Sequence, residues 1–552
     1  MYTNEKILVG KSGDKELSIL LNMANRHGLI TGASGSGKTI TLKVMAESFS
    51  EAGVPVFLAD VKGDLAGTAV EGDIETIQKR VDKLGLEGFE CKKFPVRFWD
   101  LYGENGHPIR ATVESVGSDI LSMMLGLSEA QEGNLAIVFE VAKDEGLQLI
   151  NLADLRSTLT YVAENKDKYT LKYGNVTTQS IGVIQRSLLA LEKQGADKFF
   201  GEPALDIKDF FAVDSDGRGI INCLHAVELF QSPDLYASFL LWLLNTLFAS
   251  SPEVGDLDKP RMVFFFDEAH LLFDSMPSYR LKRIVQVVKL IRSRGIGLYF
   301  VSQNPTDIPD EILAQLGNRV QHALRAYTPS EQKVVKAAAA AFRVNKEFDT
   351  ETAISELGTG EALISFQDEK GAPSIVERAY ILPPQSFMGA INDMVRMKVI
   401  NNSPLCGKYD EAVDNESAHE KIVKHREEKA AAEEEARKKA EEEKRAAEEA
   451  KEAEKRAKEE QKEAERQARE EARAEREAER KAAAEQRAKT AEERQKLAIQ
   501  KQQEALEAKK KANSIGGKIE KTVTTGVQRG VTNAISSSIS KGIKSTFKNI
   551  FK

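Results

Sequence analysis

The chain has 552 residues, a net charge of −7 and 30% charged residues, above the quarter that is usual for globular proteins. Its three cysteines, Cys91, Cys223 and Cys406, stand far apart without a CxxC pair, which argues against a zinc site and a disulfide framework. The longest apolar run, 239–249, is too short to cross a bilayer, and the N-terminus lacks the apolar segment of a signal peptide. We therefore expect a cytoplasmic protein.

Residues 1 to about 400 predict an α/β domain. Apolar, β-rich runs alternate with helical stretches, as in a parallel sheet covered on both faces, and these runs lie at 54–60, 218–224, 262–269 and 297–303. Between 115 and 210 helical spacing replaces the β signal, so we predict a helical insertion there. This insertion divides the predicted core into 1–114 and 211–405.

The N-terminal part of the core carries a phosphate-binding loop. The sequence "GASGSGKT", Gly32 to Thr39, matches G-x-x-x-x-G-K-[ST] and stands between an apolar strand and an amphipathic helix. Backbone N–H groups of such a loop surround phosphate oxygens, Lys38 reaches the β- and γ-phosphates, and the Thr39 hydroxyl binds Mg²⁺. We predict that nucleotide is bound by Gly32, Ala33, Ser34, Gly35, Ser36, Gly37, Lys38, Thr39 and Ile40.

A charged turn, "FLADVKGDLAG" at 57–67, follows the next predicted strand. Its apolar run ends at Asp60, and Gly63 permits a tight bend. Because this strand end lies on the nucleotide edge of the predicted sheet, we predict that Asp60 joins the network around Mg²⁺ or water.

A pair of acids ends another apolar strand, in "MVFFFDEAH" at 262–270. Asp267 and Glu268 therefore emerge at the carboxyl end of that strand, where ligands bind in open α/β sheets. We predict that Asp267 holds Mg²⁺ through water and that Glu268 orients and polarises the attacking water. The chain lacks an N-K-x-D guanine signature, so ATP is the predicted nucleotide.

Gln303 ends the apolar strand at 297–303 and precedes Asn304 and Pro305. A neutral amide at this position can sense the γ-phosphate and report its loss. The alternative is a turn residue before the proline.

Several arginines are candidates for a residue that one subunit supplies to its neighbour's site, where it offsets charge in the transition state. Arg319 and Arg325 are the first candidates, and Arg292 or Arg294 can fill the same role. The sequence does not choose among them, and each can also be a surface residue.

The C-terminal part changes composition twice. Residues 411–511 are nearly all Ala, Glu, Lys, Arg and Gln, which predicts a long charged helix, either alone or in a weak, alanine-seamed coiled coil. Residues 512–552 are basic, and a stripe of apolar residues recurs every fourth position from Ile535 to Phe551. This tail is expected to bind an anionic membrane surface, a protein partner or other copies of the chain.

The order of these motifs resembles the HerA/FtsK superfamily of ring-forming ATPases, which pump or translocate double-stranded DNA. The series is a P-loop, an Asp-x-Lys-Gly-Asp turn, a helical insertion, an Asp-Glu strand end, "VSQNPTDIP" and "NRVQHALR". The segment 357–386, with "LGTGEALISF" and "KGAPSIVERAYILPPQS", is similar to the short bacterial HerA-like (YjgR-type) group. The resemblance covers residues 5 to about 400.

The resemblance implies a P-loop NTPase with a RecA/FtsK-like sheet, ATP and Mg²⁺ as cofactors, and a homo-oligomeric, hexameric ring with nucleotide between subunits. Lys62 and Asp64 then face the next subunit or the pore. Long HerA helicases carry a β-barrel before the P-loop, and Gly32 comes too early for one. The membrane span and winged domain of FtsK-type motors are not recognisable either.

Two functions follow from this resemblance and from the C-terminal segments. The first is an ATP-hydrolysing ring motor that translocates or remodels double-stranded DNA. The alternative is an ATPase that acts on protein or at a membrane surface through its C-terminal arm.

Overall fold

The computed structural model describes residues 1–255, 257–273, 278–486, 501 and 504. Within them the strands are β1 (Tyr2–Thr3), β2 (Lys6–Ser12), β3 (Lys15–Leu20), β4 (Gly28–Thr31), β5 (Val56–Asp60), β6 (Val96–Asp100), β7 (His107–Pro108), β8 (Ile221–His225), β9 (Met262–Phe266), β10 (Ile296–Ser302), β11 (Asn318–Gln321), β12 (Glu361–Ser365) and β13 (Glu377–Ile381). The helices are α1 (Lys38–Glu51), α2 (Ile74–Leu84), α3 (Val113–Met124), α4 (Glu129–Asp144), α5 (Leu152–Glu164), α6 (Lys166–Tyr173), α7 (Thr178–Lys193), α8 (Pro233–Ser250), α9 (Ser278–Ile291), α10 (Asp310–Leu313), α11 (Pro329–Ala340), α12 (Thr350–Glu356), α13 (Asp393–Asn401) and α14 (Ala418–Gln486).

The central part of the sheet is parallel. The strand order is β1-β2-β13-β12-β11-β4-β10-β9-β5-β8-β6-β7, and β3 pairs with β2. Every pairing from β11 to β7 is parallel, whereas β1, β2, β3, β12 and β13 make antiparallel pairs. The predicted α/β fold with a mainly parallel sheet is therefore confirmed.

Both faces of the sheet are covered, which explains why its strands read as continuous apolar runs. In β9, Phe264 and Phe266 face the layer that contains α3 to α9, while Val263 and Phe265 face α1 and α2. The Phe264 ring stacks on Phe57 of β5 with centroids 4.3 Å apart. This packing aligns the carboxyl ends of β5 and β9 at one edge.

Five helices, α3 to α7, occupy the region where the sequence predicts the helical insertion. Their apolar faces share one buried cluster with one face of the sheet, so these helices extend the core and do not form a separate one. The predicted domain bounds, 1–114, 115–210 and 211–405, stay predictions.

The chain divides into two compact units, Met1–Ala430 and Ala431–Lys552. In the first unit the start of α14 is fixed by buried Asp154, whose Oδ1 accepts hydrogen bonds from Ser417 Oγ at 2.5 Å and His419 N at 2.8 Å. Further along α14, Lys438 and Lys439 pair with glutamates one turn earlier, at 2.9 and 2.7 Å.

The structure thus contains a long charged helix, α14, at Ala418–Gln486 within the predicted segment 411–511, and the coiled-coil alternative stays untested. The predicted tail, 512–552, lies outside the described residues. Among the helices in the described part of the chain, none combines the length and apolar character that a membrane crossing requires.

Candidate active site

The P-loop joins β4 to α1 through backbone shapes that glycine adopts most easily. Gly32, Gly35 and Gly37 have φ of +152°, +74° and +116°. A Cβ on Gly32 would lie 2.5 Å from His322 Cβ, so the close approach of β11 also requires glycine there. These backbone shapes bend the chain tightly between β4 and the N-terminus of α1, which is the arrangement of a phosphate-binding loop.

The residue Lys38 is 8% exposed, and its ammonium group lies inside this loop. It donates to the carbonyl oxygens of Gly32 at 2.6 Å and Ala33 at 3.2 Å. Burial lowers the pKa of Lys38, and the negative charge of Glu268 opposes that shift. The P-loop lysine and the acid at the end of β9 thus belong to one electrostatic site.

The outer side of the P-loop is held by the neighbouring strands. Ala33 N donates to Ala323 O at 2.8 Å, and the Thr41 hydroxyl lies 2.8 Å from His322 Nε2. His322 Nδ1 faces the carbonyl oxygen of Glu361 at 3.0 Å, and burial lowers the pKa of His322 to about 4. A neutral imidazole with its proton on Nδ1 then accepts from Thr41 and donates to Glu361.

Asp267 and Glu268 follow β9 and are 8% and 5% exposed. Burial, followed by the negative charge of Glu268, raises the pKa of Asp267 to about 7. Glu268 has φ of +49°, a left-handed backbone that is unusual for glutamate, and its N–H donates to Asp267 Oδ1 at 2.9 Å. The Tyr236 hydroxyl donates to the carbonyl oxygen of Asp267 at 2.9 Å and fixes this corner.

The Glu268 carboxylate has polar neighbours from three places in the fold. Lys62 Nζ, from the turn after β5, lies 3.8 Å from Oε1. Gln303 Nε2, at the end of β10, lies 3.5 Å from Oε2, and His270 Nδ1 lies 3.5 Å from the same oxygen. Because β10 lies between β4 and β9, it carries Gln303 to the gap between the P-loop and Glu268.

Asp60 closes the turn after β5. Its Oδ1 accepts from Gly63 N at 2.7 Å and its Oδ2 from Ala66 N at 2.9 Å, and Gly63 has φ of +82°. Burial, and then the charge of Asp64, raise the pKa of Asp60. Both Asp60 oxygens thus already bind backbone N–H groups, and a contact of Asp60 with Mg²⁺ or its water stays a prediction.

The donor set fits a magnesium ion that is held mainly by phosphate. Among the described residues, no group of three or more His, Cys, Asp or Glu side chains forms a metal site. Mg²⁺ commonly takes one or two protein oxygens and completes its shell with phosphate and water. The Thr39 hydroxyl and the buried Asp267 carboxylate would be the one or two protein oxygens that bind Mg²⁺.

A family model described as Helicase HerA-like C-terminal matches residues 5–479. This chain belongs to that family. With its complete P-loop and carboxylate pair, the HerA-like chain is a P-loop ATPase.

Two relatives are both described as DNA double-strand break repair helicase HerA. The protein of Sulfurisphaera tokodaii is 24% identical over 390 residues, which are 66% of this chain and 67% of that protein. The protein of Saccharolobus solfataricus is 24% identical over 373 residues, 65% of this chain and 64% of its own length.

Two solved structures also match. The bacterial conjugative coupling protein TrwBdeltaN70 has a TM-score of 0.44 and 13% identity, over 69% of this chain and 90% of its own. VirB4 of Thermoanaerobacter pseudethanolicus has a TM-score of 0.44 and 17% identity, over 69% of this chain and 97% of its own.

In the HerA-like chain three of the four candidate arginines bind carbonyl oxygens. Arg319 is partly buried and donates to the carbonyls of Leu316 and Leu313 at 3.0 Å each, and to a third carbonyl at 3.3 Å. The exposed Arg325 donates to Ser355 O and, at 3.0 Å, to Leu357 O. Arg294 donates to Ser251 O. The role of any of them in a neighbouring site stays a prediction.

Three contacts of the candidate site are absent from the sequence-based predictions, and the first is that of His270 with Glu268. His270 stands two residues after Glu268 and was recognisable within the quoted motif. The pairing of Lys62 with Glu268 and the contact of His322 with Thr41 join distant segments, and no local pattern signals them.

Proposed function

We propose that this HerA-like ATPase is a motor that works on double-stranded DNA as a ring of identical subunits. The observation that carries the proposal is the common site of Lys38, Glu268 and Gln303 at one edge of the sheet. A site of this kind couples ATP hydrolysis to motion of the strand ends and loops around it.

In the proposed reaction the P-loop amides and Lys38 hold the phosphates, while Thr39 and Asp267 hold the metal. Bound Mg²⁺ offsets the phosphate charge when it is present. Glu268 orients the attacking water, and Gln303, whose amide nitrogen lies 3.5 Å from Glu268 Oε2, senses the γ-phosphate. Because Lys38, Asp267 and Glu268 are each no more than 8% exposed, bulk water screens their charges little.

DNA as the substrate is supported by the names of the relatives and by an exposed basic face. Helix α9 buries Ile284, Val285, Val287 and Val288 against the core and leaves Lys282 and Lys289 exposed. Lysines at such spacing can contact backbone phosphates and release counterions from DNA. These contacts weaken as the salt concentration rises, because the release of counterions then becomes less favourable.

The test is steady-state ATP hydrolysis by the full chain with and without linear duplex DNA, across a salt series. We expect stimulation by DNA that fades with salt, and a reduced stimulation in the double variant Lys282→Ala/Lys289→Ala. The matched control, Lys333→Ala/Lys336→Ala, removes two exposed lysines of α11. An ATP hydrolysis rate that is the same with and without DNA at every salt concentration would contradict the DNA proposal.

A second candidate, an ATPase on a membrane or protein partner, is favoured by the length of α14. A helix of 69 residues spans about 100 Å at ~1.5 Å per residue, far more than a connector needs. Stimulation by anionic vesicles, lost when residues 512–552 are removed, would favour this candidate over DNA.

A further inference from the structure

We propose that Lys62 is a positioning residue that holds the Glu268 carboxylate in place for hydrolysis, acting through Glu268 and not through the nucleotide. The inference rests on the proposed ATP hydrolysis and needs no DNA. It assigns a role to the charged turn after β5.

The fold places Lys62 at a defined position. Strands β5 and β9 are paired in parallel with Leu58 opposite Phe265, so their carboxyl ends reach the same level of the sheet. Beyond β5, the two hydrogen bonds of Asp60 to the N–H groups of Gly63 and Ala66 close the turn around Lys62. The closed turn therefore places the Lys62 ammonium group beside the end of β9, 3.8 Å from Glu268 Oε1.

The contacts of Glu268 explain why this ammonium matters. Oε1 faces Lys62 at 3.8 Å, whereas Oε2 faces Gln303 and His270 at 3.5 Å. All three distances are longer than a tight hydrogen bond, so the carboxylate is centred among its neighbours and keeps capacity to accept from water. Lys62 supplies the full positive charge on the Oε1 side.

The exposure of the pair sets the expected consequence. The Glu268 side chain is 6% exposed, and the Lys62 side chain is 53% exposed. A buried carboxylate beside a second acid, Asp267, has little water to replace a lost cation. Without Lys62 we expect the Glu268 carboxylate to turn toward Gln303 and His270. A small displacement of this carboxylate slows hydrolysis, because the reaction depends on the orientation of the attacking water.

Nucleotide binding depends on the P-loop amides and Lys38, so loss of Lys62 is expected to act on turnover. In Lys62→Met we expect the single-turnover hydrolysis rate to fall about tenfold, while the affinity for ATP stays within about twofold. Lys62→Arg keeps the charge and should retain at least about a third of the rate. The matched control is Lys15→Met, which breaks the Lys15–Glu377 pair, 2.5 Å long, at the antiparallel edge of the sheet.

A double-mutant cycle separates a role through Glu268 from a direct role on the phosphate. If Lys62 acts through Glu268, Lys62→Met has little further effect when Glu268 is already glutamine. An equal loss in both backgrounds, a wild-type rate in Lys62→Met, or a failure of Lys62→Arg to recover activity each overturns the inference.

This outcome is separable from the outcome for the motor. The Lys62 experiments use ATP and Mg²⁺ without DNA, so their outcome does not depend on DNA binding. If DNA fails to stimulate hydrolysis in the separate salt-series assay, only the DNA proposal is overturned. A wild-type chain that hydrolyses no ATP overturns both.

Discussion

At the scale of single residues, the adjacent acids Asp267 and Glu268 have different surroundings. Asp267 has a pKa raised to about 7 and its backbone is fixed by Tyr236, while Glu268 is turned by its positive φ toward Lys62 and Gln303. A left-handed backbone at glutamate costs about 1–3 kcal/mol and is retained where the surroundings hold it. In the proposed reaction this difference separates the carboxylate for the metal, Asp267, from the carboxylate for water, Glu268.

This separation predicts different defects for two substitutions. Lys38→Ala should abolish nucleotide binding, because it removes the cation inside the P-loop. Glu268→Gln should bind ATP with near wild-type affinity and turn it over about 100-fold more slowly, because the amide is a poor acceptor for the proton of water. Fluorescent-nucleotide binding and chemical-quench hydrolysis measure the two effects. A Glu268→Gln chain with wild-type turnover contradicts the assignment of the water-positioning residue.

At the scale of elements, His27 connects three segments around the P-loop strand. This residue precedes β4 and is 2% exposed. Its Nδ1 accepts from Leu298 N of β10 at 3.0 Å, and its Nε2 faces the carbonyl oxygen of Val288 in α9 at 2.9 Å. Burial lowers the pKa of His27 from 6.5 to about 4, with the charge of Arg292 acting in the same direction. Neutral His27 therefore joins β4, β10 and α9.

The pKa of His27 predicts a loss of stability in acid. Because the folded pKa lies below the unfolded one, the unfolded chain binds a proton between pH 6.5 and 4 that the folded chain excludes, so stability falls as pH drops through this window. At pH 5 the cost is about 2 kcal/mol. The stability advantage of the wild type over His27→Asn, measured from urea midpoints, should shrink by this amount from pH 7 to pH 5.

A matched control for this prediction is His425→Asn, which replaces an exposed histidine near the start of α14. Its stability difference from the wild type should change little between the two pH values. If His27→Asn and His425→Asn show the same pH dependence, the buried imidazole is not the source of the acid sensitivity.

At the scale of the whole molecule, the sequence predicts what lies within one segment and misses what depends on strand order. The P-loop and the Asp-Glu pair are recognisable because each is a short motif at the end of an apolar strand. The contact of Lys62 with Glu268 arises because β5 lies beside β9, and that of Thr41 with His322 because β11 lies near α1. The spacing of residues within one segment does not reveal which strands and helices become neighbours in the sheet.

The proposed ring also concerns the whole molecule, and the candidate arginines provide a test of it. Partly buried Arg319 holds three carbonyl oxygens, and burial lowers its pKa, so Arg319→Ala should weaken the fold. The exposed Arg325 binds only two carbonyl oxygens, so moving its side chain to a neighbouring subunit would cost less free energy than moving that of Arg319. We therefore expect Arg325 to be the arginine that acts between subunits.

Subunit mixing tests this expectation directly. Rings of Lys38→Ala alone, or of Arg325→Ala alone, should be inactive. In mixed rings, made by co-expression with two tags, an Arg325→Ala subunit contributes an intact P-loop and its Lys38→Ala neighbour contributes the arginine, so ATP hydrolysis should return. The control pair, Lys38→Ala with Glu268→Gln, places both defects in sites that each subunit builds alone, and mixing should restore nothing. If the Arg325→Ala mixture recovers no more ATP hydrolysis than the control pair, Arg325 serves its own subunit and the expectation is wrong.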